Sequence, residues 1–165
     1  MPETITVFVS SKMLELASER AALFDFIPHI DCGGFQLKPW VFERTALPSS
    51  KSIRESYLDA LNNSALYLGL FWNQYGEWTI DEFERASEWQ IERHIYVKDV
   101  QRDLREPRLS QFLGTWGDVT HGVTQKWFTT TDELLATVDA ALRDWVMGRR
   151  SSRSPGRCLR ASRCL

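Results

Sequence analysis

Glu82 stands in a stretch of polar and aromatic residues whose types suit chemistry on a sugar. Cleavage of a ribosyl N-glycosidic bond passes through an oxocarbenium-like state, so it needs a carboxylate near the sugar as nucleophile or electrostatic stabiliser. It also needs groups that hold the sugar hydroxyls and an aromatic wall for the base. Glu82 is the candidate catalytic carboxylate. The candidate substrate-binding residues are Ser10, Ser11, Asn73, Tyr75, Trp78 and Thr79.

The spacing Thr79-x-x-Glu82 has a second interpretation, because a helix capping box has the same spacing. In that motif a Glu at the third helical position bonds back to the amide of the capping Thr. The spacing also occurs at Ser52-x-x-Glu55 and Thr130-x-x-Glu133, where nothing points to catalysis. Spacing alone therefore favours a cap, although the two roles of the Glu need not exclude each other.

Strand-like and helix-like segments alternate along the chain and predict an α/β domain. Apolar and β-branched runs predict strands, whereas apolar residues at helical spacing predict helices. The predicted strands are residues 5–9, 35–42, 65–72, 94–100 and 123–128. The predicted helices are residues 13–27, 52–61, 79–92 and 131–146, with a short irregular helix or loop at 102–112. Pro39 favours an edge position for the second strand.

This alternation predicts a five-stranded parallel sheet with helices on both faces and the strand order 2-1-3-4-5. In such sheets ligands bind beyond the carboxyl ends of the strands, where the strand order reverses. Here that point lies between the first and third strands. The loops after Val9 and Trp72 should meet there, and this placement raises the functional interpretation of Glu82 to equal weight with the cap.

Length and composition favour one globular domain, since the chain has 165 residues, of which 43% are hydrophobic and 12% are aromatic. The net charge of −2 is unevenly distributed, because residues 148–165 hold six Arg and no acidic residue. We predict a folded domain over residues 1–147 and a disordered Arg- and Ser-rich tail over residues 148–165. The folded part is then acidic, which disfavours nucleic acid as a partner.

Three Cys without metal-type spacing, and an N-terminus unlike a signal peptide, favour a cytoplasmic setting. No apolar run reaches the roughly 20 residues of a membrane-spanning helix, so we expect no membrane partner.

The sequence has no GxxxxGK[ST] or GxGxxG phosphate loop. His29, His94 and His121 are scattered, and we expect neither a metal nor a bound cofactor.

Several segments resemble motifs of known families. Trp78-x-x-x-Glu82 resembles the WxxxE segment of TIR domains that cleave NAD, and Thr79-x-x-Glu82-x-x-x-Ala86 resembles the pattern of nucleoside deoxyribosyltransferases. Residues 5–145 are similar to an uncharacterised TIR-like family found at the N-terminus of STAND NTPases with NACHT and WD-repeat modules. The matching segments are Val7–Ser11 with Leu16, Glu19 and Arg20, then Ser64–Tyr67, Gly69–Gly76 and Ile95–Lys98.

The resemblance implies a flavodoxin-like or TIR-like fold with Glu82 as the catalytic residue. NAD or a related nucleotide or nucleoside is then the substrate rather than a cofactor. The resemblance also implies that Glu43 and Arg44, at the end of the second strand, belong to the loop that TIR domains use for self-association and for gating the pocket. The other interpretation of these two residues is a solvated ion pair.

Two functions therefore compete. The first is an N-glycosidic hydrolase or transferase that acts through Glu82 and is switched on by homo-oligomer formation. The second is a non-catalytic signalling module that uses the same surface for TIR-like homotypic contacts and is fused to an NTPase sensor in a longer chain. Dependence of turnover on Glu82 separates the two.

Overall fold

The computed structural model describes residues 1–120 and 122–152. Its strands are β1 (Glu3–Ser10), β2 (Phe35–Trp40), β3 (Leu66–Phe71), β4 (Glu92–Lys98) and β5 (Gln125–Phe128). Its α-helices are α1 (Ala17–Phe26), α2 (Phe42–Thr45), α3 (Ile53–Asn62), α4 (Glu77–Glu88), α5 (Pro107–Trp116) and α6 (Thr131–Ser152). Single 3-10 turns follow α1 at Ile27–His29 and β4 at Arg102–Leu104.

The five strands form one parallel sheet in the order β2-β1-β3-β4-β5. This is the predicted order and that of a flavodoxin-like fold. The prediction for Pro39 is also confirmed, because Pro39 lies in the edge strand β2 and pairs with Val7 of β1. An edge strand tolerates proline because the position that lacks an N–H can face away from the ladder.

The core has two parts, one on each face of the sheet, because successive strand residues point to opposite faces. Val7 and Val9 of β1 pack in one cluster with α1 and α6, whereas Phe8 between them packs in the other with α3, α4 and α5. Every residue of β3 is buried. The sheet is therefore covered on both sides, as a parallel sheet requires.

Several helices differ from their prediction. Helix α1 begins at Ala17 rather than at residue 13, and the short helix α2 was not predicted. The segment expected to be irregular contains a regular helix, α5, which begins with Pro107 at its first position. Proline is favoured there because its fixed φ suits a helix and its missing N–H would be unbonded in any case. Helix α4 begins at Glu77 rather than near Thr79, with Gly76 as its N-cap.

The C-terminal helix α6 continues to Ser152, past the boundary predicted after residue 147. The rest of the predicted disordered tail, residues 153–165, lies outside the described residues. None of the helices in the described ranges is both long and apolar enough to cross a membrane.

We expect Gly69→Ala to destabilise the domain by about 1–3 kcal/mol, because overpacking a close-packed core forces neighbours to move. A methyl group on Gly69 would lie 2.7 Å from a ring carbon of Tyr67 and 3.1 Å from the terminal carbon of Ile95. Urea denaturation of the two proteins measures the difference.

Gly114→Ala is the matched control. Gly114 lies in α5, and within residues 1–120 and 122–152 a methyl group there has no atom within 4 Å apart from its chain neighbours and the backbone of its own helix. Alanine favours the helix, so we expect this variant to be more stable by about 0.5–1 kcal/mol. Equal effects of the two substitutions would contradict the close packing around Gly69.

Candidate functional site

The carboxyl ends of β1 and β3 meet at the point where the strand order reverses. Ser10, the last residue of β1, stands opposite Gly69 of β3. From Ser10 the hydroxyl donates a hydrogen bond to Oε2 of Glu82, the sixth residue of α4. Two residues that lie 72 positions apart in the sequence thus meet at this edge of the sheet.

Glu82 does not cap its helix. Because α4 begins at Glu77, Glu82 lies beyond the first turn, and no side chain caps the N-cap residue Gly76. Gly76 is required by close contact, since a methyl group there would lie 3.0 Å from Oγ1 of Thr79 and 3.3 Å from Cδ of Lys12. The carboxylate of Glu82 is consequently free to reach β1.

The two segments with the same spacing do form caps. At the start of α3, Ser52 and Glu55 make a complete capping box. At the start of α6, the amide of Glu133 donates to Oγ1 of Thr130 at 3.2 Å, and the amide of Thr130 donates back to the Glu133 carboxylate at 3.2 Å. The same Ser/Thr-x-x-Glu spacing therefore forms a cap at α3 and α6 but not at α4. The structure does not support the cap interpretation of Glu82.

Burial raises the pKa of Glu82 to about 7. Part of the residue reaches solvent, but the carboxyl group is enclosed by protein. The hydrogen bond from Ser10 and the charge of Arg20 lower this pKa, whereas the neighbouring Asp81 raises it. At neutral pH both the acid and the carboxylate are populated, which suits a group that acts in proton transfer or charge stabilisation.

The neighbouring carboxylate, Asp81, has a different environment. Although burial alone would raise its pKa, hydrogen bonds from Arg54 (3.0 Å) and from the Tyr57 hydroxyl (2.8 Å) hold that pKa below its usual value. Asp81 is thus a stable anion that links α4 to α3. Adjacent carboxyl groups whose pKa values are moved apart are typical of sites with separate acid and base roles.

Arg20 is a buried cation at the centre of the site. Its guanidinium donates to the Ser11 hydroxyl at 3.0 Å and makes two hydrogen bonds, of 2.7 and 2.6 Å, to the carboxylate of Glu43. It also favours the ionised form of Glu82. Arg20 therefore joins α1, β1 and α2 beneath the candidate catalytic group.

Arg20 was not among the predicted site residues, although it belongs to a segment that resembles the uncharacterised TIR-like family. Its position in α1 was a usable signal. It follows Leu16 by four residues and precedes Leu23 by three, so it occupies the apolar stripe that both leucines define, and all three residues are buried. A charged residue at such a position is expected to be buried and paired.

A small cavity, the inner cavity, lies beside Glu82. Its volume of about 30 Å³ has room for about one water molecule. Its polar lining comes from Ser11, Arg20, Thr79 and Glu82, and its apolar lining from Val9, Met13, Trp40, Phe42, Ile53, Tyr57 and Trp78. Both predicted loops contribute to it, as the strand order predicts.

A larger groove, the outer groove, opens next to the inner cavity and has a volume of about 570 Å³, within the range of small-molecule sites. The residues that line both are Ser11, Met13, Trp78 and Thr79. The residues that line the outer groove alone are Lys12, Leu14, Tyr75, Gly76, Glu77, Glu106 and Arg108. The inner cavity and the outer groove thus lie side by side and share one wall, and the two together are called the recess.

Two predicted substrate-binding residues, Ser10 and Asn73, do not line this recess. Ser10 instead bonds to Glu82, and Asn73 is held by its backbone. Its backbone amide donates to Glu15 at 2.8 Å, and its carbonyl oxygen accepts from the amide of Glu106 at 2.8 Å. The side-chain oxygen of Asn73 is buried without a hydrogen-bond partner in the described part of the chain. Asn73 therefore holds the loop after β3 against α5.

Glu43 and Arg44 lie in the short helix α2 and do not pair with each other. Although burial opposes it, the hydrogen bonds from Arg20 hold the pKa of Glu43 below its usual value. The Arg44 guanidinium lies 5.2 Å from the centre of the Phe24 ring and 4.0 Å from the carboxylate of Asp25. Glu43 thus fixes α2 to the site from within the same chain.

We expect the stability of the wild-type domain, relative to Glu82→Gln, to fall as the pH rises from about 4.5 to about 7. The carboxyl pKa is higher in the folded chain than in the unfolded chain, so folding favours the protonated form. Ionisation above pH 4.5 therefore favours the unfolded chain. The full effect is at most about 3 kcal/mol. The free energy of unfolding in urea, measured at several pH values in this range, tests it.

Glu84→Gln is the control for this measurement, because it removes an exposed carboxylate from the same helix. A stability difference between wild type and Glu82→Gln that stays constant with pH would contradict the burial of this carboxyl group. The same would follow if Glu84→Gln reproduced the pH dependence.

Comparison with known protein families identifies the family of this chain. A search of curated proteins found no match to the sequence. Residues 6–143 match the family described as "Domain of unknown function (DUF4062)". The matched range contains all five strands except the first residues of β1, and it contains Ser10, Arg20 and Glu82. The chain therefore belongs to the DUF4062 family, whose function is unknown.

Proposed function

We propose that this domain cleaves the N-glycosidic bond of NAD or a related nucleotide, with Glu82 as the catalytic carboxylate. The position of this carboxylate carries the proposal. It lies at the strand-order reversal, accepts a hydrogen bond from Ser10 instead of capping α4, and lines a recess that extends to the surface. Ligands of open α/β sheets bind at this point of the fold.

In the proposed reaction the bond between C1′ of the ribose and the nicotinamide nitrogen breaks. The electron pair of that bond stays with nicotinamide, which loses its positive charge and leaves as a neutral base without needing a proton. C1′ becomes electron-deficient, and the ionised form of Glu82 stabilises it or bonds to it. A water molecule then bonds to C1′ through its oxygen and releases a proton. Where Glu82 has bonded to C1′, that C–O bond breaks and its electron pair returns to the carboxylate.

Other residues of the recess match the remaining needs of this reaction. Ser11 and Thr79 carry hydroxyl groups on the wall shared by the inner cavity and the outer groove, where the sugar would lie. The half-exposed Trp78 and the ring of Tyr75 offer apolar faces for a base. Ser10 orients the carboxylate of Glu82 and is a positioning residue rather than a contact to the sugar.

The inner cavity must widen before a sugar can reach Glu82, since about 30 Å³ accommodates only about one water molecule. Trp78 and Met13 stand between the inner cavity and the outer groove, and 52% of Trp78 is exposed. A shift of these two side chains joins the inner cavity to the outer groove without moving a strand. The described conformation is thus the closed form of the proposed site.

The resemblance to TIR domains and nucleoside deoxyribosyltransferases supports the same assignment, because both patterns coincide on Glu82. It also supports a wider setting, which we propose with the activity: a cytoplasmic signalling or defence domain attached to a STAND-type NTPase and activated by homo-oligomer formation. The alternative remains a non-catalytic interaction module. The pairing of Glu43 with Arg20 in the same chain leaves that carboxylate less available to a partner.

We expect the concentrated domain to release nicotinamide from NAD, or free base from deoxynucleosides, and Glu82→Gln to lose this activity by a factor of about 100 or more. Product release is followed by chromatography. Glu84→Gln is the control and should keep the wild-type rate. Absence of turnover even when the domain is artificially clustered would refute the catalytic proposal and favour the interaction module.

We expect the cleavage rate to rise with pH as Glu82 ionises, with a midpoint at about 7. Ser10→Ala removes a hydrogen bond that lowers the pKa of Glu82, so the midpoint of this variant should move to higher pH. The pH profile of kcat/KM for the two proteins measures the shift. An unchanged midpoint, or a shift to lower pH, would contradict the role of Ser10.

A further inference from the structure

Two cations, Lys12 and Arg108, line the outer groove. Within residues 1–120 and 122–152, neither Lys12 nor Arg108 donates a side-chain hydrogen bond. The guanidinium of Arg108 lies 4.3 Å from the centre of the Tyr75 ring. Its nearest carboxylate oxygens, on Glu77 and Glu106, are 3.9 and 3.7 Å away, which is too far for a direct hydrogen bond.

Other cations at this edge of the sheet are used internally. Arg20 binds Glu43, and Lys98 binds the buried carboxylate of Glu19 at 2.6 Å. Arg105 donates to the backbone oxygen of Trp72 at 2.6 Å. By contrast, the donors of Lys12 and Arg108 remain available to a ligand in the groove.

The two acidic residues of the groove do not neutralise these cations by direct contact. Glu77 is exposed at the surface, with 81% of its side chain accessible. Glu106 accepts a hydrogen bond from the backbone amide of Tyr75 at 3.1 Å, so one of its oxygens is already used by the loop. A ligand with several negatively charged oxygens would give Lys12 and Arg108 the short, charge-assisted hydrogen bonds that they lack.

The positions of these cations relative to Glu82 define which ligand fits. Lys12 and Arg108 line the outer groove but not the inner cavity, whereas Glu82 lines the inner cavity but not the outer groove. Ser11 and Thr79 line both and so lie on the wall that the two share. In a nucleotide the base and the 5′-phosphate arm leave the ribose from carbons on either side of the ring oxygen. One molecule can therefore present C1′ to the inner cavity and its phosphate to the outer groove.

We propose that the outer groove is a phosphate subsite in which Lys12 and Arg108 bind the 5′-phosphate of a nucleotide. The substrate class is then 5′-phosphorylated nucleotides, and free nucleosides are poor ligands. Tyr75, held against Arg108, keeps the guanidinium over the groove. The inference rests on the proposed function for the placement of the sugar, but phosphate binding by these two residues is measurable without catalysis.

The test is calorimetric titration of the full chain carrying Glu82→Gln, which prevents turnover. The ligands are NAD, the common ribonucleoside 5′-monophosphates, their parent nucleosides and inorganic phosphate, all at one ionic strength. We expect at least one phosphorylated ligand to bind about tenfold or more tightly than its nucleoside, because charge-assisted bonds to phosphate are strong. Inorganic phosphate should compete with that ligand.

Substitutions identify the subsite. We expect Lys12→Gln and Arg108→Gln each to weaken nucleotide binding several-fold, and the double variant to bind nucleotide and nucleoside equally. The affinity for the nucleoside should not change. Lys38→Gln is the matched control, because it removes one positive charge from an exposed position of β2 that lines neither the inner cavity nor the outer groove. It should leave all affinities unchanged.

Equal affinity for nucleotide and nucleoside would overturn the inference, and so would a preference that survives in the double variant or the absence of binding by every ligand. Its failure is distinguishable from failure of the proposed function. Nucleotide binding that depends on Lys12 and Arg108, without turnover by the wild-type chain, supports the subsite and refutes the activity. Turnover of nucleosides that depends on Glu82, without tighter binding of phosphorylated ligands, supports the activity and refutes the phosphate subsite.

Discussion

The hydrogen bond from Ser10 to Glu82 joins the end of strand β1 to the second turn of α4, and much of the surrounding arrangement depends on it. A carboxylate enclosed by protein is unfavourable unless it is hydrogen-bonded or paired. Ser10 supplies the hydrogen bond and Arg20 supplies a nearby positive charge. Because Arg20 is fixed in turn by Ser11 and Glu43, one buried network positions parts of β1, α1, α2 and α4.

A second ion pair, Glu19 with Lys98, lies next to that of Arg20 with Glu43, and each pair has one buried member. Glu19 and Arg20 are consecutive residues of α1, and both are buried, yet they bind partners in different elements. Arg20 reaches Glu43 in α2, whereas Glu19 reaches Lys98 at the end of β4. Lys98 also lies over the ring of Trp72, 4.1 Å from its centre. The first turn of α1 therefore fixes the carboxyl ends of strands on both sides of the recess.

Much of this fold could be predicted from the sequence. Continuous apolar runs identified the strands, Pro39 identified the edge, and the alternation of elements gave the strand order that places Glu82 at the reversal point. Membership of an uncharacterised family was also anticipated and is confirmed, whereas the likeness to TIR domains stays a prediction. The strands, the edge position and the strand order depend on the pattern of apolar residues along the chain, which can be identified from sequence alone.

The rest of the site depends on contacts between distant segments. The Thr79-x-x-Glu82 spacing could not reveal whether Glu82 caps α4, because the answer depends on where the helix begins, and Gly76 places that start two residues earlier than expected. The roles of Arg20 and Arg108 depend on which segments fold against them. The segment of α5 was predicted as a short irregular helix or loop, although Pro107 is a known signal for the start of a regular helix.

The missing side-chain cap of α4 has a consequence for the motions of the domain. With Gly76 as its N-cap, the helix forgoes about a few tenths of a kcal/mol relative to a capping side chain. Its first turn lies at the wall shared by the inner cavity and the outer groove. Proteins open locally where few interactions hold the backbone. The first turn of α4 is therefore the segment where amide hydrogen exchange should report opening of the recess while the sheet stays protected.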